Sequence, residues 1–185
     1  LAPNAMTSAV VKADAYGLGA DVVAPVLYDA GCRHFFVAHI DEGISLRRRI
    51  AGDADIFVLN GLQPGNEISC ADMSLTPVIN SLEQLAQWTA HAKTLGKTLP
   101  ATLQFDTGMS RLGMAPSEVE ALKNAPELLD GIAITFIMSH LACADEPENA
   151  ANSAQLAAMR KTAQMFPDVP VCFANSGGVF LGADF

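Results

Sequence analysis

A lysine that directly follows a short apolar run is the first candidate for chemistry in this sequence. Residues 9–12 read Ala-Val-Val-Lys, and the chain then turns through Asp14, Tyr16 and two glycines, Gly17 and Gly19. At the carboxyl end of a buried strand, the low dielectric around the Lys12 stem disfavours the ammonium form, so the neutral amine becomes available as a nucleophile or base. The alternative is that Lys12 merely ends a strand and extends its ammonium into water.

Three later segments carry further polar side chains with a possible chemical use. Arg111 lies in Asp106–Met114 and presents a planar fork suited to a carboxylate or a phenolate. His140 has a ring that could lie against a flat heteroaromatic group. Ser176, after Asn175, can bind an anion through its hydroxyl and backbone N–H at a helix start. The alternatives are that Arg111 is an ordinary surface arginine, that His140 is a buried histidine with satisfied hydrogen bonds, and that Asn175 and Ser176 belong to a generic loop. The residues around His140 lack the spacing of metal ligands, so they do not predict a metal site.

These residues must be positioned by an alternation of strands and helices. Short apolar runs rich in β-branched or aromatic residues predict strands over Ser8–Ala13, His34–Ala38, Asp55–Asn60, Leu75–Asn80, Leu99–Asp106, Ile132–His140 and Val169–Asn175. Helices are predicted over Asp21–Ala30, Asp41–Ile50, Gly65–Cys70, Leu82–Leu95, Ser117–Asn124 and Asn149–Phe166. Ser81 with Gln84 three residues on, and Gly96, mark the start and end of the fourth of these helices.

Repeated βα units with short loops predict a parallel sheet. Polar residues follow nearly every strand: Lys12, His39, Asn60, Asn80, Asp106 with Arg111, His140, and Asn175 with Ser176. A doubly wound sheet would concentrate them at one switch point, whereas in a (β/α)₈ barrel all βα loops surround one site. We therefore predict an α/β barrel of the TIM type, with about seven of its eight strands in this chain and the eighth expected beyond Phe185.

Four motifs, in order along most of the chain, resemble those of the alanine racemases, which are pyridoxal-phosphate enzymes of fold type III. The segment Val10–Gly19 resembles their cofactor-attachment motif, and Asp106–Met114 resembles their D-T-G-M-x-R-L-G signature. The segment Met138–Glu146 resembles their histidine-containing stretch, and Asn175-Ser176-Gly177-Gly178 resembles their phosphate-binding Asn-Ser-Gly.

The resemblance implies a role for each matching residue. Lys12 would attach pyridoxal 5′-phosphate as an imine and would act as the base on one face of alanine. Tyr16, Asn175 and Ser176 would help to bind the cofactor, with Tyr16 and Ser176 at its phosphate, and His140 would pack by its pyridine ring. Arg111 would lie near the phenolic oxygen of the cofactor and the carboxylate of the substrate.

The resemblance also implies parts that this chain does not contain. In the family, the second acid/base is a tyrosine from a C-terminal β domain of the partner subunit. Residues 1–185 would thus be a partial cofactor-binding barrel, with the β domain absent and the full-length protein a homodimer. The expected activity is the interconversion of L- and D-alanine, which supplies D-alanine for bacterial peptidoglycan, and the 185 residues alone are expected to be inactive.

One departure from the family concerns Gln104. Many relatives have a lysine here, often carbamylated, whose carboxylate supports the arginine. The neutral carbonyl of Gln104 could accept one hydrogen bond from Arg111, but more weakly. Alternatively, Gln104 only fills space.

Composition bounds the remaining possibilities. The 185 residues carry a formal charge of −9, which argues against a nucleic-acid surface, and no apolar run reaches transmembrane length. Four widely spaced cysteines without a C-x-x-C pair predict reduced thiols and a cytoplasmic location. Rival functions are a non-catalytic pyridoxal-phosphate carrier barrel, a basic amino-acid decarboxylase and a broad-specificity racemase.

Overall fold

Strands and helices alternate along the chain in a computed structural model that describes residues 5–185. The strands are β1 (Ser8–Val10), β2 (His34–Val37), β3 (Asp55–Val58), β4 (Thr76–Ile79), β5 (Leu99–Gln104), β6 (Ile132–Met138) and β7 (Val171–Cys172). The helical elements are α1 (Lys12–Tyr16), α2 (Ala20–Asp29), α3 (Ile40–Arg47), α4 (Glu67–Asp72), α5 (Leu82–Leu95), α6 (Pro116–Asn124) and α7 (Ala150–Ala163). Short 3₁₀ helices cover Pro126–Leu129 and Gly178–Phe180.

The strands form one curled parallel sheet in the order β1-β2-β3-β4-β5-β6-β7. Sequential order with helical crossovers is the arrangement of staves in a (β/α)₈ barrel, so the predicted fold class and the seven predicted strands are confirmed. The carboxyl ends of parallel strands lie at one edge of the sheet. The segments that follow β1, β5, β6 and β7 are therefore brought to the same side of the molecule.

Successive side chains along each strand point to opposite faces of the sheet, so the apolar residues form two separate cores. One face of each strand packs against the helices; for example, Phe35 and Ile56 are fully buried there. The other face lines the interior of the curled sheet, where Phe36, Phe57 and Phe136 meet. The Phe36 and Phe57 rings stack at 4.9 Å between centroids, and Phe57 and Phe136 lie 4.8 Å apart. This aromatic cluster fills part of the interior of the curled sheet.

Local sequence signals predicted some boundaries better than others. Helix α5 spans Leu82–Leu95 as predicted, because the Ser81 hydroxyl accepts a hydrogen bond from the Gln84 N–H at 3.2 Å and Gly96 adopts a left-handed φ of 62°. The predicted strand ends are wrong by one to three residues. Residues such as Lys12 and His140 stand just beyond the regular strand pairing, where the backbone turns out of the sheet. Within residues 5–185, no helix is both long and apolar enough to cross a membrane.

Candidate active site

Lys12 lies directly after β1, at the carboxyl edge of the sheet. The preceding residue, Val11, is 2% exposed, and its N–H donates to the Phe36 carbonyl at 2.8 Å, which extends the pairing with β2 up to the lysine. The Lys12 side chain is half-buried, and its Nζ stands 5.9 Å from the centroid of the Tyr16 ring. Tyr16 is 65% exposed. The first motif thus brings the amine and the phenol to one rim.

The backbone after Lys12 is left-handed. Residues 13–16 have φ values from 51° to 57°, although none of them is a glycine. Each such residue costs about 1–2 kcal/mol relative to the right-handed form, and runs of them are rare. The predicted strand through Ala13 is therefore wrong, because this turn takes the chain away from β2. Strain of this kind concentrates at functional sites, where surrounding contacts hold it.

The exit from this turn is fixed by Asp14. Its Oδ1 accepts a hydrogen bond from the Ala20 N–H at 2.7 Å, at the start of α2. Gly17 and Gly19 have φ values of 86° and 90°, which favour glycine. The turn and the helix start are thus joined by a side-chain contact within the first motif.

Asp106 organises the loop that presents Arg111. Its Oδ1 accepts hydrogen bonds from the N–H groups of Gly108, Met109 and Ser110 at 2.9, 2.9 and 3.0 Å. The carboxylate of Asp106 thus forms a tight side-chain-to-backbone turn at the start of the loop. At the end of the loop, backbone hydrogen bonds join Met114 to Gln104 at 2.8 Å and to Asp106 at 3.0 Å. Arg111 is held on a closed loop, and its side chain is exposed.

Gln104 does not contact Arg111 through a hydrogen bond. The Gln104 side chain is buried, its Nε2 donates to the Leu112 carbonyl at 3.4 Å, and its Oε1 has no hydrogen-bond partner among residues 5–185. The loop places the Leu112 carbonyl, rather than the guanidinium of Arg111, within reach of the amide. Of the two alternatives for Gln104, the hydrogen bond that it could accept from Arg111 is therefore not made in this structure.

His140 follows β6 at the same edge of the sheet. Burial lowers the pKa of its imidazole, and the positive charges of Arg111 and Lys12 lower it further. Lys12 and Arg111 therefore lie close enough for their charges to act on the His140 ring. At neutral pH the His140 ring is therefore neutral. The Gln155 amide on α7 fixes the backbone here, since it donates to the His140 carbonyl at 2.9 Å.

The segment after β7 forms a tight turn around Asn175. Its Oδ1 accepts from the Gly178 N–H at 2.9 Å, and its Nδ2 donates to the Leu141 carbonyl at 3.2 Å. Both ends of the amide are thus engaged within the protein, so Asn175 shapes the turn and ties it to the segment after His140. Ser176 stands exposed on this turn. A Cβ at Gly178 would lie 2.8 Å from the Leu141 Cδ1, so the glycine permits this close approach.

The polar residues after β2, β3 and β4 contact one another or the nearby backbone. The Asn60 Nδ2 lies 3.3 Å from the ring nitrogens of His39, and both residues line a cavity of about 210 Å³ together with Asp41, Gln63 and Asn66. Asn80 is buried, and its Nδ2 donates to the carbonyls of Leu59 and Val78 at 2.9 Å each. These residues shape the strand ends.

Sequence reasoning missed one residue that contacts the first motif. Glu42 accepts a hydrogen bond from the Ala13 N–H at 2.7 Å, across 29 residues of sequence. A glutamate three residues after a helix N-cap, here His39, is a signal that could have drawn attention to it. That signal predicts a bond within α3 and does not predict the contact with Ala13.

Comparisons with known proteins agree with this geometry. The family model for the N-terminal domain of alanine racemase matches residues 1–185. A catabolic alanine racemase of Agrobacterium fabrum is 66% identical over 185 residues, which are 100% of this chain and 48% of that protein. An alanine racemase of Brucella ovis is 56% identical over 179 residues, 97% of this chain and 45% of that protein.

A solved structure is also similar over almost the whole chain. The crystal structure of alanine racemase from Bartonella henselae with covalently bound pyridoxal phosphate has a TM-score of 0.96 and 41% identity, and the match covers 99% of this chain and 53% of that one. This chain spans about half the length of the curated relatives it matches.

Proposed function

The chain belongs to the alanine racemase family, and we propose that the protein interconverts L- and D-alanine with pyridoxal 5′-phosphate attached to Lys12. The proposal is supported by the positions of Lys12, Arg111 and His140, which all follow strands at the carboxyl edge of the parallel sheet, near enough for the charges of Lys12 and Arg111 to lower the pKa of His140. In barrels of this class that edge bears the active site.

The residues present fit the chemical groups of the cofactor. The amine of Lys12 suits an aldehyde, and the neutral, half-buried ring of His140 suits the face of a pyridine. The Tyr16 and Ser176 hydroxyls are exposed at the same edge and suit a phosphate, whereas Asn175 would act by shaping the turn that carries Ser176. The exposed Arg111 fork suits a carboxylate or a phenolic oxygen.

When bound, pyridoxal phosphate supplies an electron sink that acidifies the Cα–H of alanine. In this proposal the Lys12 Nζ would act as the base that removes or returns the proton on one face of Cα. Arg111 orients the substrate by binding the carboxylate of alanine. The lowered pKa of His140 favours its neutral form, which would pack by the pyridine ring of the cofactor.

The proton on the opposite face needs a second acid/base, which we propose lies outside residues 5–185. Tyr16 stands beside Lys12 on the same rim. The Tyr28 hydroxyl donates to the Asp53 Oδ1 at 2.5 Å, and this hydrogen bond to Asp53 raises the pKa of Tyr28. Asp53 precedes β3, so this pair lies at the amino edge of the sheet, away from Lys12.

We further propose that the enzyme is a cytoplasmic homodimer that completes its site with a partner subunit, and that D-alanine for peptidoglycan is one of its products. Relatives from Agrobacterium fabrum and Rhizobium johnstonii, 66% and 59% identical, are named catabolic alanine racemases. Their names favour a use of the same reaction in the breakdown of alanine. Both uses require the same reaction, the interconversion of L- and D-alanine.

Racemisation by the full-length protein tests the proposal. We expect the wild type to convert L-alanine to D-alanine, and Lys12→Arg to lose at least about 10³-fold in kcat, because the guanidinium neither attaches the cofactor nor accepts the proton. Lys93→Arg, at an exposed position on α5, is the matched control and should retain activity. Full activity of Lys12→Arg would refute the proposal.

A further inference from the structure

Glu42 joins the segment after Lys12 to the end of β2. One carboxylate oxygen accepts a hydrogen bond from the Ala13 N–H at 2.7 Å. The other accepts from the Ala38 N–H at 2.7 Å and from the His39 N–H at 3.1 Å. Glu42 lies in the first turn of α3 and is half-buried. Its two oxygens therefore hold three backbone donors from two segments that are far apart in sequence.

The left-handed turn needs such an external contact. Residues 13–16 are Ala-Asp-Ala-Tyr, and L-residues of these types adopt a left-handed conformation singly rather than in runs. Local hydrogen bonds, such as that from the Ala15 N–H to the Val11 carbonyl at 2.9 Å, close the turn but do not orient it against the sheet. The charged oxygen of Glu42 does so, and hydrogen bonds to a charged acceptor are the stronger kind.

The contact acts on Lys12 through the peptide bond. The Ala13 nitrogen lies in the same rigid plane as the Cα and carbonyl of Lys12. Fixing the Ala13 N–H therefore fixes the orientation of that plane. Together with the Val11 N–H bond to Phe36 on the other side of Lys12, this constrains the direction in which the Lys12 side chain leaves the backbone. The contacts with Ala38 and His39 tie the same carboxylate to the strand that pairs with β1.

We propose that Glu42 is a positioning residue for Lys12, holding the strained turn so that the amine meets the cofactor in the productive direction. This inference rests on the proposed function of Lys12. Glu42 would act through the backbone, because its two oxygens contact the N–H groups of Ala13, Ala38 and His39. A carboxylate is needed because both its oxygens accept, whereas a glutamine would present an NH₂ group to one set of N–H donors.

A matched pair of variants tests the proposal in the full-length protein. Glu42→Gln removes the clamp, while Glu118→Gln alters a glutamate with similar capping contacts away from Lys12: Glu118 accepts from the Leu82 and Ala115 N–H groups at 2.8 and 2.9 Å. The measurements are the rate at which added pyridoxal phosphate attaches to the apoprotein, followed by absorbance, and the hydrogen exchange of the Ala13 amide.

For Glu42→Gln we expect attachment to slow about 10-fold or more and the exchange of Ala13 to accelerate by a similar factor, from the loss of one charge-assisted hydrogen bond. Glu118→Gln should change neither quantity, even if it lowers the melting temperature as much. Unchanged attachment and unchanged Ala13 exchange in Glu42→Gln would overturn the proposal, as would equal effects of the two variants.

The wild type alone provides a second test if Glu42→Gln does not fold. The Ala13 amide, on an exposed residue, should exchange at least about 10-fold more slowly than in an unstructured peptide, because its hydrogen bond to Glu42 must open first. Unprotected exchange would overturn the role of Glu42. If the wild-type protein failed to attach the cofactor at Lys12 while Ala13 stayed protected, the proposed function would fail and the contact itself would stand.

Discussion

At the scale of single residues, local patterns explain the positions of Lys12, His140 and Arg111, whereas the surroundings of Gln104 are unexpected. Lys12 and His140 lie where parallel strands end, and the Asp106 turn presents Arg111. These placements follow from local patterns in the sequence. The environment of Gln104 could not be predicted, because it depends on which atom of the nine-residue loop Asp106–Met114 comes to lie over its amide. That atom is the Leu112 carbonyl.

The unpartnered Oε1 of Gln104 leads to a prediction about stability. A buried acceptor without a donor carries a desolvation cost of about 1–3 kcal/mol. Replacing Gln104 with methionine, of similar volume, should leave the free energy of unfolding unchanged within about 1 kcal/mol or raise it. Denaturant unfolding measures this change.

Thr102, two residues earlier on the same face of β5, is the matched control. Its hydroxyl is 2.8 Å from the Thr135 hydroxyl, so Thr102→Val removes a hydrogen bond that is made and should cost about 1 kcal/mol. If Gln104→Met were the more destabilising of the two variants, the Gln104 Oε1 would have to accept a hydrogen bond after all.

The lowered pKa of His140 predicts how stability depends on pH. Burial, together with the charges of Arg111 and Lys12, disfavours the protonated ring in the folded state. The unfolded chain takes up this proton near pH 6.5, the folded protein only at lower pH, so the unfolded state binds more protons in between. The stabilisation is therefore fully present above about pH 6.5 and is lost as the pH falls towards the folded pKa.

Melting temperatures between pH 7.5 and 5.5 test this dependence. His140→Asn should show a shallower decline than the wild type, since it removes the titrating ring. His91→Gln, a substitution on helix α5, should decline as the wild type does. An identical slope in His140→Asn and the wild type would show that His140 is not held in its neutral form.

At the scale of elements, the predictions succeeded where a boundary is set by neighbouring residues and failed where it is set at a distance. Helix α5 is bounded by Ser81 and Gly96, which act within one turn of its ends. The end of β1 was misplaced because the turn after Lys12 depends on Glu42, 29 residues from Ala13. A pattern of apolar residues carries no signal for a contact of that range.

The loop from Asp106 to Met114 gives a prediction at this scale. Gly113 has a φ of 112°, and a Cβ there would lie 2.6 Å from the Asp106 nitrogen and 2.7 Å from the Phe105 carbonyl carbon. Gly113→Ala must therefore displace backbone atoms, and we expect it to lower the free energy of unfolding by about 3 kcal/mol or more. The loop that carries Arg111 should move with it.

Gly182 is a matched control for this substitution. Its φ is 119°, but among residues 5–185, its two chain neighbours aside, no atom lies within 4 Å of the position of an added Cβ. Gly182→Ala therefore incurs the conformational strain alone, about 1–3 kcal/mol. Denaturation of both variants separates steric overlap from strain, and equal losses would mean that the loop relaxes around the new methyl group.

At the scale of the whole molecule, the parallel sheet brings segments up to 164 residues apart in sequence, from Lys12 to Ser176, to one edge. The alternation of strands and helices predicts that these segments lie at one edge. The aromatic cluster of Phe36, Phe57 and Phe136 packs inside the same curled sheet. The sheet has β1 and β7 at its two edges, and the matched relatives are about twice as long as this chain.

The identity of the lysine that holds the cofactor is the central claim. It is tested most directly by incubating the full-length protein with pyridoxal phosphate, reducing it with borohydride and mapping the modified peptide by mass spectrometry. The account predicts one stoichiometric label, on Lys12, and its absence in Lys12→Arg. A label on another lysine, or no label under conditions in which the protein racemises alanine, would contradict it.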